Sequence, residues 1–222
     1  KKQNSVNNLV NIILFGPPGA GKGTQAQFIV KKHNYFQLST GNLLRDEIKL
    51  KTTLGTEVEK LISNGKFASD ETVNTLLRKS ITNLKFRDRI IFDGYPRNVD
   101  QAKNLEIILG EFNQTIGHII FLNVSRDIIE KRIMGRVTCK KCHMTMNEFF
   151  NKEQIDLHPC GKKFLEKRKD DNLDVLIARY DTYMTVTKPV LDFYAKNQNF
   201  TEIDGAAEIE LINGKINDVL KV

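Results

Sequence analysis

Apolar residues gather along the chain in short runs that do not alternate with polar ones: NIILF over 11–15, RIIFD over 89–93, HIIFLNV over 118–124 and FTEID over 200–204. A strand covered on both faces reads this way, because each face needs apolar side chains and the period-two contrast of a half-exposed strand is lost. Between the runs, helical spacing holds over about 22–33, 41–50, 54–64, 69–83, 98–110, 125–134 and 171–197, the last interrupted by Pro189. Strands alternating with helices require right-handed crossovers. The expected fold is therefore α/β, a doubly wound parallel sheet of about five strands.

Two stretches break the rhythm. Residues 39–68 read as helical throughout, an insertion between the first helix and the next strand. Residues 136–169 hold few core-type side chains, several turn formers and all three cysteines, and read as a small flap. The core then comprises 9–38, 69–135 and 170–222, and the polar KKQNSVNN over 1–8 reads as a disordered lead-in. There is no internal repeat.

Composition narrows the class. With 222 residues, 40% hydrophobic and 27% charged, the chain is an ordinary globular protein able to bury a sizeable core. No stretch approaches the ~18–20 apolar residues of a membrane span, and no membrane contact is expected. Cysteines confined to 139–160 argue against a disulfide framework and for a reducing compartment. The expected location is the cytoplasm. A mitochondrial one stays open, since the chain begins with Lys and a true N-terminus reads as cut away. Charge is concentrated: eleven Lys and Arg stand against four acids from Lys131 to Lys169, an excess of seven that equals the net charge of the whole chain. Such a segment suits a partner with clustered negative charge, polyphosphate or nucleic acid. It has few aromatics on which bases could stack, so nucleic acid is not expected.

The candidate chemistry begins directly after the first strand. GPPGAGKGT, Gly16 to Thr24, places Gly16, Gly19, Gly21 and Gly23 around a strand-to-helix turn. Backbone N–H groups can turn inward there to form an anion nest at the helix N-terminus, with Lys22 reaching the β- and γ-phosphates. The hydroxyl that normally follows the lysine comes one residue late, at Thr24. A magnesium ion is then expected through water, near Thr24 and Asp93, the acid that closes RIIFD. Arginines stand at element boundaries: Arg45, Arg97, Arg132, Arg136, Arg168 and Arg179. Phosphoryl transfer needs positioned positive charge more than covalent help, and the planar guanidinium supplies it bidentately.

With these residues in order, the chain resembles the adenylate kinases of the long form that carries a full lid. The resemblance covers nearly the whole chain and rests on GPPGAGKGT (16–24), STGNLLR (39–45), GKFASDETV (65–73), FDGYPR (92–97) with Gln101, RIMGR (132–136), and RKDD (168–171) followed by Arg179. It implies that 39–68 is the clamp for a nucleoside monophosphate and 136–169 the lid over a triphosphate. The implied reaction is reversible, Mg²⁺-dependent transfer of the γ-phosphoryl group of ATP to AMP, giving two ADP, by a chain that is monomeric as the family default. Gly19, Ala20, Gly21, Lys22, Gly23, Thr24, Arg132 and Arg136 are the implied ATP contacts. Thr40, Gly41, Arg45, Lys66, Gly94, Arg97, Gln101, Arg168 and Arg179 are the implied AMP contacts. Lys22, Asp93, Arg97, Arg132, Arg136, Arg168 and Arg179 carry the implied catalysis. Asp170 and Asp171 look like hinge acids that pair with the arginines.

Alternatives stay open at this stage. A GTP:AMP phosphotransferase differs only at the donor base, which backbone groups near DGAAE (204–208) would read. Gln101 and the long lid speak against a pyrimidine kinase. A non-kinase ATPase that binds nucleic acid is a further reading. Asn42 and Tyr95 depart from the usual family residues, Asp and Phe, and neither is expected to alter a ligand contact. Some relatives knit the lid with zinc on two C-x-x-C pairs. CKKC (139–142) matches the first pair, but Leu157 stands where the second pair needs a cysteine. Two readings follow: zinc on Cys139, Cys142, His158 and Cys160, with a cramped H-x-C spacing, or a metal-free lid with three reduced thiols.

Overall fold

The computed structural model describes residues 10–64, 66–82, 84–169 and 171–221; the lead-in and Asp170 lie outside the described residues. In chain order the elements are β1 (Asn11–Phe15), α1 (Lys22–His33), β2 (Phe36–Ser39), α2 (Thr40–Lys49), α3 (Thr53–Ser63), α4 (Asp70–Ile81), β3 (Ile90–Asp93), α5 (Val99–Glu111), β4 (Ile116–Asn123) and α6 (Arg126–Met134). There follow β5 (Arg136–Cys139), β6 (Thr145–Asn147), α7 (Lys152–Asp156), β7 (Leu165–Glu166), α8 (Leu173–Thr182), α9 (Pro189–Tyr194), β8 (Phe200–Asp204) and α10 (Ile209–Leu220).

The main sheet has five parallel strands in the order β2-β3-β1-β4-β8. Its apolar runs are continuous because alternate residues serve opposite cores. Ile13 and Phe15 of β1 pack with Phe92 of β3, with Leu77 and Ile81 of α4, and with Leu105 and Ile108 of α5. Ile12 and Leu14 face the other way, onto Ala26 and Ile29 of α1, Ile129 and Ile133 of α6, and Ile212 and Ile216 of α10. With β1 central, the chain passes from one side of it to the other after β3. The switch point, where doubly wound sheets bind ligands, thus falls at the carboxyl ends of β1 and its neighbours.

Three elements differ from the sequence reading. β2 was not expected as a strand. It lies at the sheet edge, only Leu38 of its four residues is buried, and so it has no continuous apolar run. α10 carries buried Ile212 and Ile216 at helical spacing, but Asn213 and Gly214 between them, and Asn217 and Asp218 after them, are poor helix formers that mask the period. The helix expected over 171–197 with an interruption at Pro189 is three pieces, α8, a π turn over Tyr183–Thr187 just before that proline, and α9. Pro189 has no N–H and its ring crowds the preceding turn, so the chain widens by one residue there, with Lys188 N–H bonding Tyr183 O at 2.7 Å.

The two insertions have their own frames. α2 and α3 form a hairpin whose turn is capped by Thr52: its hydroxyl accepts from Gly55 N–H (2.9 Å) and donates to the Glu47 carboxylate (2.7 Å). Leu44 and Val58 tie the hairpin into the core beside Ala68 and Val73. The 136–169 stretch folds as a small antiparallel sheet in the order β6-β5-β7, with Val137, Cys139 and Met146 buried. Among the described residues no helix is long and apolar enough to cross a membrane.

Gly55 marks where α3 meets α2 backbone to backbone, since a Cβ there would lie 2.1 Å from Glu47 O. Gly55→Ala is expected to destabilise the protein by about 1–3 kcal/mol through overpacking. Equilibrium denaturant unfolding checks this; an unchanged midpoint would show that the hairpin can part without cost.

Candidate active site

The loop after β1 turns into α1 through left-handed backbone at Gly19 (φ 77°) and Gly21 (φ 96°), a conformation that side-chain-bearing residues rarely adopt. Gly19 also lies against α6: a Cβ there would meet the Ile133 side chain at 2.9 Å. The N-terminal N–H groups of α1 are thereby gathered at the sheet's carboxyl edge, with Ala20 at the apex and Gly23 and Thr24 in the first turn. Lys22 Nζ donates to Gly16 O (2.8 Å) and Pro17 O (3.0 Å), so the ammonium is folded back over its own loop.

Asp93 ends β3, and its carboxylate lies beside this turn; a Cβ on Gly23 would stand 3.7 Å from Asp93 Oδ2. Gln37 Nε2 on the neighbouring strand donates to the same oxygen at 2.8 Å. The sequence reading missed Gln37. β2 pairs with β3 so that Ser39 stands opposite Asp93, but without recognising β2 nothing in the sequence aims residue 37 at the acid.

Cations converge on this one carboxylate. Burial holds the Lys22 ammonium well below the ordinary lysine range, to about 8, with Arg97, Arg179 and Arg136 adding repulsion and Asp93 opposing it. Burial likewise lowers Arg97 to about 10, with Arg179 and Arg45 adding and Asp93 again opposing. Arg136 reaches the site from β5, held bidentately by Asp171, whose side chain is almost wholly buried. That pairing was expected of Asp171. Arg179 comes from α8, and Arg168 follows β7. Even with Asp171 on Arg136 and Asp93 at the centre, positive charge is in excess here, which favours an anionic partner.

Arg132 bridges the loop to the turn after β8: one Nη donates to Ala20 O (3.2 Å), the other to Gly205 O (2.7 Å), and burial lowers its pKa against the pull of Asp204. The DGAAE segment expected to read a donor base therefore adjoins the phosphate loop.

On the other side of Asp93 lies a second constellation. Gly94, left-handed at φ 79°, exposes its carbonyl to Thr40 Oγ1 (3.0 Å) and Arg97 Nε (2.7 Å), and the Arg97 guanidinium rests 4.5 Å from the centre of the Phe67 ring. Gln101 is almost fully buried: Arg97 N–H donates to its Oε1 (2.7 Å), and its Nε2 donates to Asp70 Oδ1 (2.6 Å). Thr40, Phe67, Gly94, Tyr95, Arg97 and Gln101 enclose a hollow of about 20 Å³, room for about one water. Arg45 folds over Gly41, where a Cβ would come within 3.2 Å of the guanidinium, and Lys66 is exposed on the loop before Phe67. Phe67, Asp70 and Gln37 are additions to the expected set.

The two departures from family pattern do touch this constellation. Asn42 Oδ1 accepts from Arg45 (2.6 Å); the Tyr95 hydroxyl donates to Asn74 Oδ1 (2.8 Å) and lies 3.2 Å from Gln101 O. Each is one bond away from an expected contact.

In the flap, the ligand atoms of Cys139, Cys142, His158 and Cys160 all lie within 4.8 Å of one another. Pro159 and the left-handed Gly161 (φ 83°) fold the H-x-C segment so that His158 Nε2 comes 3.6 Å from Cys142 Sγ. Burial opposes ionising the Cys139 thiol, but N–H groups of Cys142 and Lys141 and the His158 ring outweigh it and bring the thiol to about 6. A separate cavity of about 580 Å³ lies between this cluster and Tyr35, Phe36 and Phe86 of the core. None of the arginines lines it, and it is not the phosphate site.

The depressed Lys22 pKa has a signed consequence. Between about pH 8 and the unfolded value of 10.5 the unfolded chain holds one proton more at this position, so stability rises with pH across that window. From pH 7 to 10 the wild type is expected to gain on the order of 2 kcal/mol relative to Lys22→Met. Denaturant unfolding of both proteins at the two pH values checks this, and equal slopes would refute it.

Comparison with known proteins agrees with the geometry. The family model described as Adenylate kinase matches residues 14–199. An adenylate kinase of Pelagibacter ubique is 79% identical over 213 residues, covering 96% of this chain and all of the relative. One from Fusobacterium nucleatum is 42% identical over 212 residues (95% and 98% covered), and one from Mycoplasma capricolum 40% over 195 residues (87% and 91%). The chain thus belongs to the adenylate kinase family, among the nucleoside monophosphate kinases.

Proposed function

We propose that the cations gathered on Asp93 are the floor of a two-nucleotide site, in which ATP lies on the 16–24 loop and AMP in the hollow beside Gln101. The observation that carries this is the crowding of Lys22, Arg97, Arg136 and Arg179 near Asp93, an excess of positive charge that a polyphosphate would balance even with Arg136 paired to Asp171. Gly19, Ala20, Gly21, Gly23 and Thr24 present the nest to the triphosphate, and Lys22 exchanges its loop carbonyls for phosphate oxygens. Arg132, fixed at Gly205, flanks the donor base. Thr40, Gly41, Arg45, Lys66, Gly94 and Arg97 line the approach of AMP, while Gln101 reads its base.

In the reaction an AMP α-phosphate oxygen attacks the γ-phosphorus of ATP in line as the bond to the β-phosphate bridging oxygen breaks. Two ADP result, with no covalent enzyme intermediate. Lys22, Arg97, Arg136, Arg168 and Arg179 neutralise charge on the transferred group, a gain made largely by preorganisation. The Asp93 carboxylate and the Thr24 hydroxyl are hard oxygen donors near the loop, the kind that hold Mg²⁺ through retained waters. When bound, the ion neutralises the β- and γ-phosphates. A hollow of about 20 Å³ admits no purine, so AMP entry requires the α2–α3 hairpin to move outward, and closure afterwards excludes water. The flap touches α1 through Gln27 Nε2 and His143 O (2.8 Å).

The four-residue cluster in the flap fits one tetrahedral zinc ion, which we assign there as a structural metal. The relatives named above are bacterial adenylate kinases, which favours ATP over GTP as donor and the cytoplasm over the mitochondrion. A monomer accords with a site built from one chain.

Three measurements test this reading. Lys22→Ala is expected to abolish ADP formation from ATP and AMP while the fold persists; transfer at the wild-type rate would overturn the loop assignment. A coupled assay with AMP is expected to show ATP preferred to GTP. Protein purified without added metal is expected to carry about one zinc per chain, and a folded flap with far less would eliminate the metal.

A further inference from the structure

Gln101 sits in a closed hydrogen-bond circuit whose direction is fixed throughout. Its Oε1 faces the Arg97 N–H (2.7 Å) and its Nε2 faces Asp70 Oδ1 (2.6 Å). Asp70 is itself held by Asn98 Nδ2, 3.1 Å from each carboxylate oxygen. Asn98 in turn caps α5, its Oδ1 accepting from Gln101 N–H at 2.7 Å. Every member has one permitted sense, because a backbone N–H only donates and a carboxylate only accepts. Turning the amide over would set Nε2 against the Arg97 N–H and Oε1 against Asp70.

The circuit uses one N–H and one lone pair of the Gln101 amide and leaves one of each, in an order that cannot be reversed. A free glutamine can flip to suit either polarity of partner; this one cannot. Adenine offers an amino donor at C6 beside an acceptor at N1. A 6-oxopurine offers the reverse, a carbonyl acceptor at C6 beside an N1–H donor, on a ring of nearly the same shape. A site whose buried polar groups are left opposed rejects such an analogue strongly.

We propose that Asp70 is a specificity-determining positioning residue: by fixing, together with the Arg97 N–H, the polarity of the Gln101 amide it makes the acceptor site accept 6-aminopurine and reject 6-oxopurine monophosphates. This rests on the reading that Gln101 contacts the acceptor base. Asp70 opens α4, with Ser69 as its cap, so its charge also favours the helix start. The test therefore needs a readout that helix stability does not move.

That readout is the ratio of kcat/KM for AMP to kcat/KM for IMP, measured with ATP as donor on the full chain, for wild type, Asp70→Ala, Asp70→Asn and Gln101→Ala. Asp70→Ala is expected to lower the ratio about tenfold, the loss of one charge-assisted bond, by raising KM for AMP and improving IMP. Asp70→Asn removes the charge equally but keeps an oxygen acceptor, and is expected to fall between Asp70→Ala and wild type. Should Gln101→Ala lose the preference while both Asp70 variants stay within twofold of wild type, the lock is overturned and base reading by Gln101 stands. A preference intact in all three variants overturns the Gln101 assignment and the lock together. Equal losses in Asp70→Ala and Asp70→Asn that track their melting temperatures assign Asp70 to the helix alone.

Discussion

Everything at the site depends on holding like charges together out of water. Lys22, Arg97, Arg136 and Arg179 repel one another around Asp93, and a flexible scaffold would relax by letting them drift apart. The five-stranded sheet prevents this. With an apolar core on each face, β1 and β3 cannot shift without opening one of them, so the loop after β1 and the acid ending β3 stay fixed. Asp171, buried and bidentate on Arg136, extends the same restraint to the flap. The energy stored in this arrangement is supplied by packing far from the chemistry.

The same principle operates at smaller scale around the acceptor hollow. There the restraint is directional, made of hydrogen bonds whose donors and acceptors cannot exchange roles. Gly94 serves both halves: its carbonyl receives Thr40 and Arg97, and its position directly after Asp93 ties the hollow to the phosphate floor. A change on either side is therefore felt across one residue.

How much of this the sequence showed varies with the physics involved. Strands buried on both faces announce themselves, and β1, β3 and β4 were legible within two residues; β8, an edge strand with only Ile203 buried, was legible from its Phe and Ile alone. β2 was not, because an edge strand of four residues needs only Leu38 to be buried. Once β2 is missed, Gln37 has no address. The loop lysine and the arginines were readable because phosphate chemistry restricts residue type. Asp70, by contrast, stands in ASDETV as an ordinary start to a helix; its contact with Gln101 joins residues 31 apart and no local pattern encodes it. In the cysteine cluster the H-x-C spacing is short, and the turn at Pro159 and Gly161 sets the ligand atoms of His158 and Cys160 within 4.8 Å of those of Cys139 and Cys142, which local spacing does not reveal.

The bonds from Lys22 to Gly16 O and Pro17 O set the terms on which any anion can use this lysine. An ammonium has three N–H donors, and two of them are already engaged at rest. An anion that takes them over gains only the difference between its own oxygens and two backbone carbonyls.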